Sequence, residues 1–310
     1  MSKVPGVWPV MLTPFRKDGA VDFEGLDALT EWYIKCGVSG IFSICLSSEM
    51  YDLTDEERTA VASRVVSRVG GRVPIFASGT FEPGQEAQID SVRRMADTGV
   101  NGVVVIVCQM AEEGQDNTTW RKNVEVLLKS TGEVPLGLYE CPRPYHRLLD
   151  ADTLGWCGST GRFAFVKDTS SEEASIAAKL EATDGSPLRF YDACAATLWR
   201  SLEHGADGFC GVAANLYADL YVWIFRNYRE DPETARQLHR FVSVAERAIG
   251  IGYPSSAKLY LQKLGLPITS RCRVKQHQFS ERDLLILDDL TEMICEWRER
   301  IGSPLIEEVV

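Results

Sequence analysis

The chain has 310 residues, of which 45% are hydrophobic and 25% are charged, and its formal net charge is −11. This composition is typical of a globular protein long enough for one large domain or two small ones. The acidic balance argues against nucleic acid and anionic membranes as partners, and no stretch approaches the roughly 20 apolar residues of a membrane span. Nine scattered cysteines without a CxxC pair indicate reduced thiols in a cytoplasmic protein.

Short apolar runs alternate along the chain with longer segments of helical period. The runs are rich in Val, Ile and Phe, which predicts strands that are buried on both faces. Eight strands are predicted, at residues 7–12, 40–46, 74–78, 102–108, 135–141, 163–167, 188–192 and 208–212. The segments between them predict helices at residues 23–36, 55–69, 85–98, 118–130, 151–157, 172–180 and 195–204. Thr54 and Glu57 fit a capping box at the start of the second helix.

This alternation predicts a (β/α)8 barrel. The alternative is a doubly wound open sheet, but no GxGxxG follows the first strand and no phosphate-binding loop is present. After the eighth strand only helices are predicted, at residues 216–228, 232–249, 255–264 and 280–300. We therefore expect a barrel domain at residues 1–225 and a C-terminal helical extension at residues 226–310.

Lys167 is the strongest candidate for chemistry. Barrel enzymes place their reactive groups at the carboxyl ends of the strands, and Lys167 is the last residue of the predicted strand 163–167. Desolvation favours the neutral form of an amine, and a neutral amine attacks a ketone to form a Schiff base. The alternative is a structural ion pair between Lys167 and Asp168 or Glu140.

Three further polar residues stand at neighbouring strand ends. Tyr139 follows the fifth strand, where a phenol beside a Schiff-base lysine can shuttle protons; the alternative is a core tyrosine. Ser47 and Ser48 follow the second strand and offer hydroxyl and N–H groups to a carboxylate; the alternative is a plain turn. The four histidines are dispersed and nothing matches zinc-ligand spacing, so no metal is expected.

With these residues placed, the chain resembles the dihydrodipicolinate synthase / N-acetylneuraminate lyase family of class I aldolases. The resemblance runs from about residue 6 to about residue 266 and depends on the order and spacing of several motifs. They are Thr13-Pro14-Phe15, the segment 53–58, Tyr139 with Pro142, Lys167 before Asp168, and the segment 205–208 followed by Gly211 and Asn215.

The resemblance implies a mechanism and an assembly. Lys167 would form an imine with the keto carbon of pyruvate or another 2-oxo acid, and no other cofactor is implied. Tyr139 would relay protons, the loop of Leu46, Ser47 and Ser48 would hold the carboxylate, and Cys210 at the end of strand eight is a further predicted substrate-binding position. The implied protein is a Schiff-base-forming lyase, an aldolase or dehydratase with pyruvate as product or donor, and a homotetramer. The alternatives are dihydrodipicolinate synthesis itself and a non-catalytic barrel that binds a 2-oxo acid.

Several positions depart from the family pattern. The first hydroxyl residue of the carboxylate loop is Leu46, and Gln109-Met110 stands where the synthases carry a tyrosine pair. Pro144 replaces an arginine, with Arg143 one residue earlier, and Ala195 and Ala196 replace the acidic pair with which sialic acid lyases bind sugar hydroxyls. Losing several buried polar partners argues against both namesake substrates. Glu140 is a distinctive addition, and strand alternation points its side chain away from the face that Tyr139 uses.

Overall fold

The structure is a computed structural model that describes residues 6–274, 276–303 and 305. Its parallel sheet has the strand order β1-β8-β7-β6-β5-β4-β3-β2. The strands are β1 (Gly6–Val7), β2 (Ile41–Ile44), β3 (Ile75–Ser78), β4 (Gly102–Ile106), β5 (Leu136–Tyr139), β6 (Phe163–Asp168), β7 (Arg189–Asp192) and β8 (Gly208–Phe209). A parallel bridge between Val10 and Phe42 joins the two ends of this order. The predicted (β/α)8 barrel is therefore confirmed.

The helices lie where the sequence predicts them, within a few residues at each end. They are α1 (Phe23–Lys35), α2 (Asp55–Val69), α3 (Gln85–Ala96), α4 (Asn117–Ser130), α5 (Ala151–Ser159), α6 (Glu173–Ala182), α7 (Leu198–Glu203), α8 (Ala214–Asn227), α9 (Pro232–Ile249), α10 (Ser255–Lys263) and α11 (Glu281–Ile301). The predicted capping box is present: the Thr54 hydroxyl accepts the Glu57 N–H at 3.2 Å, and the Glu57 carboxylate accepts the Thr54 N–H at 3.0 Å.

Several elements are shorter than the sequence predicts, and for the first strand and the seventh helix the cause is local. The first strand ends at Val7 rather than at residue 12, because Pro9 has no N–H to donate to a ladder. The seventh helix begins at Leu198 rather than at residue 195. The preceding turn is held instead by the Asp192 carboxylate, which accepts the Cys194 N–H and the Thr197 hydroxyl, each at 2.8 Å.

An aromatic layer fills the barrel and sets the direction of the residues above it. Phe165 of β6 lies at its centre, with the rings of Trp8, Phe42, Phe76 and Tyr191 between 5.1 and 5.8 Å from it. Residues two apart on a strand share a face. Lys167 therefore also points into the barrel, one layer closer to its carboxyl-terminal mouth.

The C-terminal helices pack against α8 and complete the predicted helical extension. Arg298 of α11 is buried, and its guanidinium donates to both carboxylate oxygens of Asp219 in α8, at 2.8 and 3.0 Å. The expected domain boundary at residue 225 falls within α8 and remains a prediction. None of the helices in the described ranges is long and apolar enough to cross a membrane.

Candidate active site

Lys167 and Tyr139 lie side by side where β5 and β6 end. The two residues are register partners in the parallel β5–β6 ladder. Both are buried, and the Lys167 Nζ lies 4.4 Å from the centre of the Tyr139 ring. The electron-rich face of an aromatic ring attracts a cation at this distance. The structure therefore brings the two predicted catalytic residues together.

Within the described residues, Lys167 has no carboxylate partner. Asp168 and Glu140, its predicted alternative partners, bind the buried Lys179 of α6 instead. The Lys179 Nζ lies 2.6 Å from Glu140 Oε1 and 2.5 Å from Asp168 Oδ2. Because successive strand residues face opposite sides, Asp168 points out toward α6 while Lys167 points into the barrel. The alternative of a structural ion pair at Lys167 is thus wrong.

Glu140 ties α6 to the loops that follow β5 and β6. Besides binding Lys179, its carboxylate accepts the Leu149 N–H at 2.8 Å and the Thr169 N–H at 3.0 Å. Burial and the nearby Asp168 charge raise the pKa of Glu140 to about 7, although Lys179 acts in the opposite direction. The side chain faces away from Tyr139, as strand alternation predicts, and it supports the loops rather than facing a substrate.

A cavity of about 810 Å³ opens above Lys167 and Tyr139 at the carboxyl ends of the strands. Leu46 and Ser47 line it from a 3₁₀ turn (Leu46–Ser48) that follows β2. Ser47 thus brings a hydroxyl to the wall, while Leu46 brings an apolar side chain. Two of the predicted carboxylate-binding residues therefore share one cavity with the lysine.

The structure does not place the other two predicted substrate-binding side chains in this wall. Ser48 is fully buried, and its hydroxyl bonds to the Met11 carbonyl at 2.7 Å and the Ser43 carbonyl at 2.9 Å. Cys210 is also fully buried and does not line the cavity. Burial raises the pKa of its thiol to about 12, so this thiol stays protonated beside the ammonium of Lys167.

Glu49 anchors the carboxylate-binding turn to the C-terminal segment. It is buried and adopts a left-handed backbone conformation, with φ of 59°. Its carboxylate lies 2.5 Å from the Lys258 Nζ and accepts the N–H groups of Arg273 and Val274 at 2.5 and 2.9 Å. This charged, fully bonded anchor fixes the turn that carries Ser47.

The C-terminal helices supply a wall of the cavity that the sequence analysis missed. Glu246 and Arg247 reach it from the last turn of α9, and Tyr253 reaches it from the loop before α10. Asn215 Nδ2 donates to the Tyr253 hydroxyl at 2.9 Å, which holds this loop against the barrel. In a sequence, charged residues near a helix end predict solvent-exposed surface. Only the packing of α9 on the barrel identifies these two as part of the cavity wall.

Arg143 and Thr169 also line the cavity. In the sequence, Arg143 lies one residue out of register with the family arginine. The loop after β5 nevertheless brings it to the cavity. Gln109 does not reach the cavity, because its side-chain amide donates to the Phe81 carbonyl at 2.9 Å. No group of three or more metal-ligating side chains occurs among the residues searched, which are the described ones.

A (β/α)8 barrel that carries a buried lysine near the end of its sixth strand, with no carboxylate partner among the described residues, is the architecture of a class I aldolase, and the chain is an enzyme of that class. The model of the dihydrodipicolinate synthetase family matches residues 3–290, so the chain belongs to that family. Enzymes of this family are lyases that use a lysine Schiff base and no external cofactor.

Known relatives cover most of the chain. The 4-hydroxy-tetrahydrodipicolinate synthase of Oceanobacillus iheyensis is 28% identical over 264 residues, which are 84% of this chain and 88% of that protein. The solved 4-hydroxy-tetrahydrodipicolinate synthase of Methylacidiphilum fumariolicum SolV superposes with a TM-score of 0.85 at 22% identity, covering 97% of this chain and 99% of that one. The YagE protein of E. coli K12, solved in complex with pyruvate, has a TM-score of 0.82 at 20% identity, covering 96% and 99%.

Proposed function

We propose that this protein is a Schiff-base-forming lyase, an aldolase or dehydratase, that acts on a 2-oxo acid with pyruvate as product or donor. The observation that carries the proposal is the position of Lys167: its amine is buried at the floor of the cavity, beside Tyr139 and without a carboxylate partner among the described residues. The pyruvate bound by the related YagE protein supports the same class of ligand. From the family resemblance we also propose a cytoplasmic homotetramer.

The lysine chemistry accounts for both reaction types. After the ammonium of Lys167 gives up a proton, its amine attacks the C2 carbonyl carbon of the 2-oxo acid, and loss of one water leaves an imine. In aldol cleavage the imine accepts the electron pair of the C3–C4 bond, while the proton of the C4 hydroxyl leaves and an aldehyde departs. The resulting enamine is protonated at C3, and addition of one water releases pyruvate. In dehydration the enamine forms by loss of a C3 proton and expels the C4 hydroxyl, which takes up a proton and leaves as water; addition of one water to the remaining imine then releases an unsaturated 2-oxo acid.

Tyr139 and Ser47 supply the remaining functions near the imine. Burial raises the pKa of Tyr139 well above its usual range, so its phenol is protonated and available as a proton donor. A positioned donor can pass its proton to the carbinolamine hydroxyl as water leaves. Ser47 offers its hydroxyl to the substrate carboxylate from the wall of the cavity.

Reductive trapping tests this proposal. With pyruvate and borohydride, we expect a stable adduct on the peptide that contains Lys167, measured by mass spectrometry after digestion. Omitting pyruvate is the control and should leave this lysine unmodified. An adduct on another lysine such as Lys258 would contradict the proposal. So would the absence of any adduct with pyruvate and with longer 2-oxo acids.

Dihydrodipicolinate synthesis is a second candidate because the O. iheyensis relative carries that activity in its name. The polar groups near Lys167 fit it poorly: Leu46 brings no hydroxyl to the wall, and the Gln109 amide is bonded to the Phe81 backbone. We expect turnover of pyruvate with aspartate semialdehyde below about 0.1 s⁻¹, under the common range for enzymes. Consumption of the aldehyde measures this, and a rate within the common range would favour the synthase.

A further inference from the structure

Glu246 carries a carboxyl group from α9 into the cavity that holds Lys167. Its Oε2 accepts the Ala195 N–H, in the loop after β7, at 3.1 Å. Its Oε1 accepts no hydrogen bond from any residue in the described part of the chain. One oxygen therefore holds the side chain in place, and the other is available to a ligand inside the cavity.

Burial, more than the surrounding charges, brings the pKa of Glu246 close to neutral pH. Burial raises its pKa to about 7, and the carboxylate of Asp192 in β7 acts in the same direction. The cations of Lys167 and Arg247 oppose this rise. The tyrosines that face it from α8 are Tyr217 and Tyr221. A carboxyl group in this state can accept a hydrogen bond when charged and donate one when neutral.

A hydroxyl group is the ligand that suits this position. The charge of Glu49 is balanced by Lys258 at 2.5 Å, so cations outnumber anions among the described residues of the wall. These cations are Lys167, Arg143 and Arg247. A positive cavity attracts the carboxylate of a 2-oxo acid and disfavours a substrate ammonium, while a second carboxylate placed against Glu246 meets a like charge. A neutral hydroxyl avoids both penalties.

The cavity has room for a substrate longer than pyruvate. Its volume of about 810 Å³ lies within the range of roughly 300–1,000 Å³ that is typical of sites for drug-sized ligands. A three-carbon acid held at Lys167 fills only a small part of that space. A longer carbon chain would lie along the remaining walls, one of which is formed by α9.

We propose that Glu246 is a specificity-determining residue that binds a hydroxyl group on the substrate's carbon chain, beyond the 2-oxo acid head. The substrate is then a hydroxylated 2-oxo acid of the sugar-acid type. This inference rests on the proposed function, because the imine at Lys167 fixes the head of the substrate.

The experiment compares three probes by borohydride trapping at Lys167. They are pyruvate, 2-oxohexanoate and the hydroxylated six-carbon acid 2-oxo-3-deoxygluconate. Because cleavage of the hydroxylated acid would leave pyruvate on the lysine, intact and pyruvate adducts are counted together. We expect the wild-type protein to reach half-maximal trapping at a lower concentration of the hydroxylated acid than of 2-oxohexanoate. Glu246→Gln keeps an acceptor for the Ala195 N–H but loses the charge. At pH 8 it should raise the half-saturating concentration of the hydroxylated acid about tenfold to a hundredfold and change that of pyruvate less than about twofold.

The pH dependence of this preference is a second readout. The ratio of the two half-saturating concentrations, hydroxylated acid to pyruvate, cancels any effect of pH on imine formation that the two ligands share. In the wild-type protein this ratio should fall from pH 6 to pH 8, because ionised Glu246 binds the hydroxylated acid more tightly. In Glu246→Gln the ratio should not change with pH. Glu233→Gln, at the exposed start of the same helix, is the matched control and should behave as wild type.

The outcomes separate this inference from the proposed function. Normal trapping of pyruvate, together with an equal response of all three probes to Glu246→Gln, overturns the specificity role alone. So does a wild-type protein that traps 2-oxohexanoate as readily as the hydroxylated acid. Absence of any adduct with the wild-type protein overturns the proposed function and this inference with it.

Discussion

Lys167→Met is expected to abolish the pyruvate adduct and to lower turnover at least about 10⁴-fold, because the nucleophile of a covalent mechanism is lost. The same change should leave the protein as stable as before or more stable. The Lys167 ammonium is buried without a carboxylate partner in the described structure, and its contact with the Tyr139 ring contributes only about 0.5–2 kcal/mol. Removing an unpaired buried charge relieves a desolvation cost that is larger than this.

Two measurements check this prediction together: turnover with the substrate found by trapping, and the midpoint of thermal unfolding. Lys167→Arg is the companion variant, since it keeps the positive charge but has no amine that forms an imine. It should be as inactive as Lys167→Met. A fall of several degrees in the midpoint of the methionine variant would show instead that Lys167 is a structural residue.

The barrel and the adjacency of Lys167 and Tyr139 could be predicted from the sequence because they depend on local patterns. Apolar runs mark the strands, and the alternation of side chains along β5 and β6 places Tyr139 and Lys167 at neighbouring strand ends. The resemblance to a known family then favours a Schiff-base lysine at position 167 over a structural ion pair. Ser48 shows where such reasoning stops: its position in the loop was foreseen, but its hydroxyl is used by the Met11 and Ser43 carbonyls.

The remaining parts of the site depend on contacts between distant segments. Ala195 and Glu246 are 51 residues apart, and Lys179 is 39 residues from Glu140. Neither pair has a periodic signal, because each joins one strand-end loop to one face of a helix. Lys179 in particular reads as an ordinary helix-surface lysine in the sequence. Only the packing of α6 on the barrel buries Lys179 and pairs it with Glu140 and Asp168, which leaves Lys167 without either of these two carboxylates.

Lys179→Met is expected to behave in the opposite way to Lys167→Met. It leaves the carboxylates of Glu140 and Asp168 buried without their shared cation. Breaking a buried ion pair from one side typically costs about 3–5 kcal/mol, so the free energy of unfolding at pH 8 should fall by that amount. Urea unfolding measures the loss, and an unchanged unfolding midpoint at pH 8 would contradict the structural role of Lys179.

The pH dependence of the stability loss in Lys179→Met tests whether the unpaired carboxylates cause that loss. The pKa of Glu140 in the folded protein is raised from 4.5 to about 7, so between these values the folded state holds a proton that the unfolded state releases. Stability from this group is therefore present at low pH and lost as pH rises through the folded pKa. Without the ammonium of Lys179 the pKa of Glu140 rises further, so the deficit of Lys179→Met should be smaller at pH 5.5 than at pH 8. The double variant Lys179→Met with Glu140→Gln should recover part of the loss at pH 8, because the neutral amide removes one of the two unpaired charges while still accepting the Leu149 N–H.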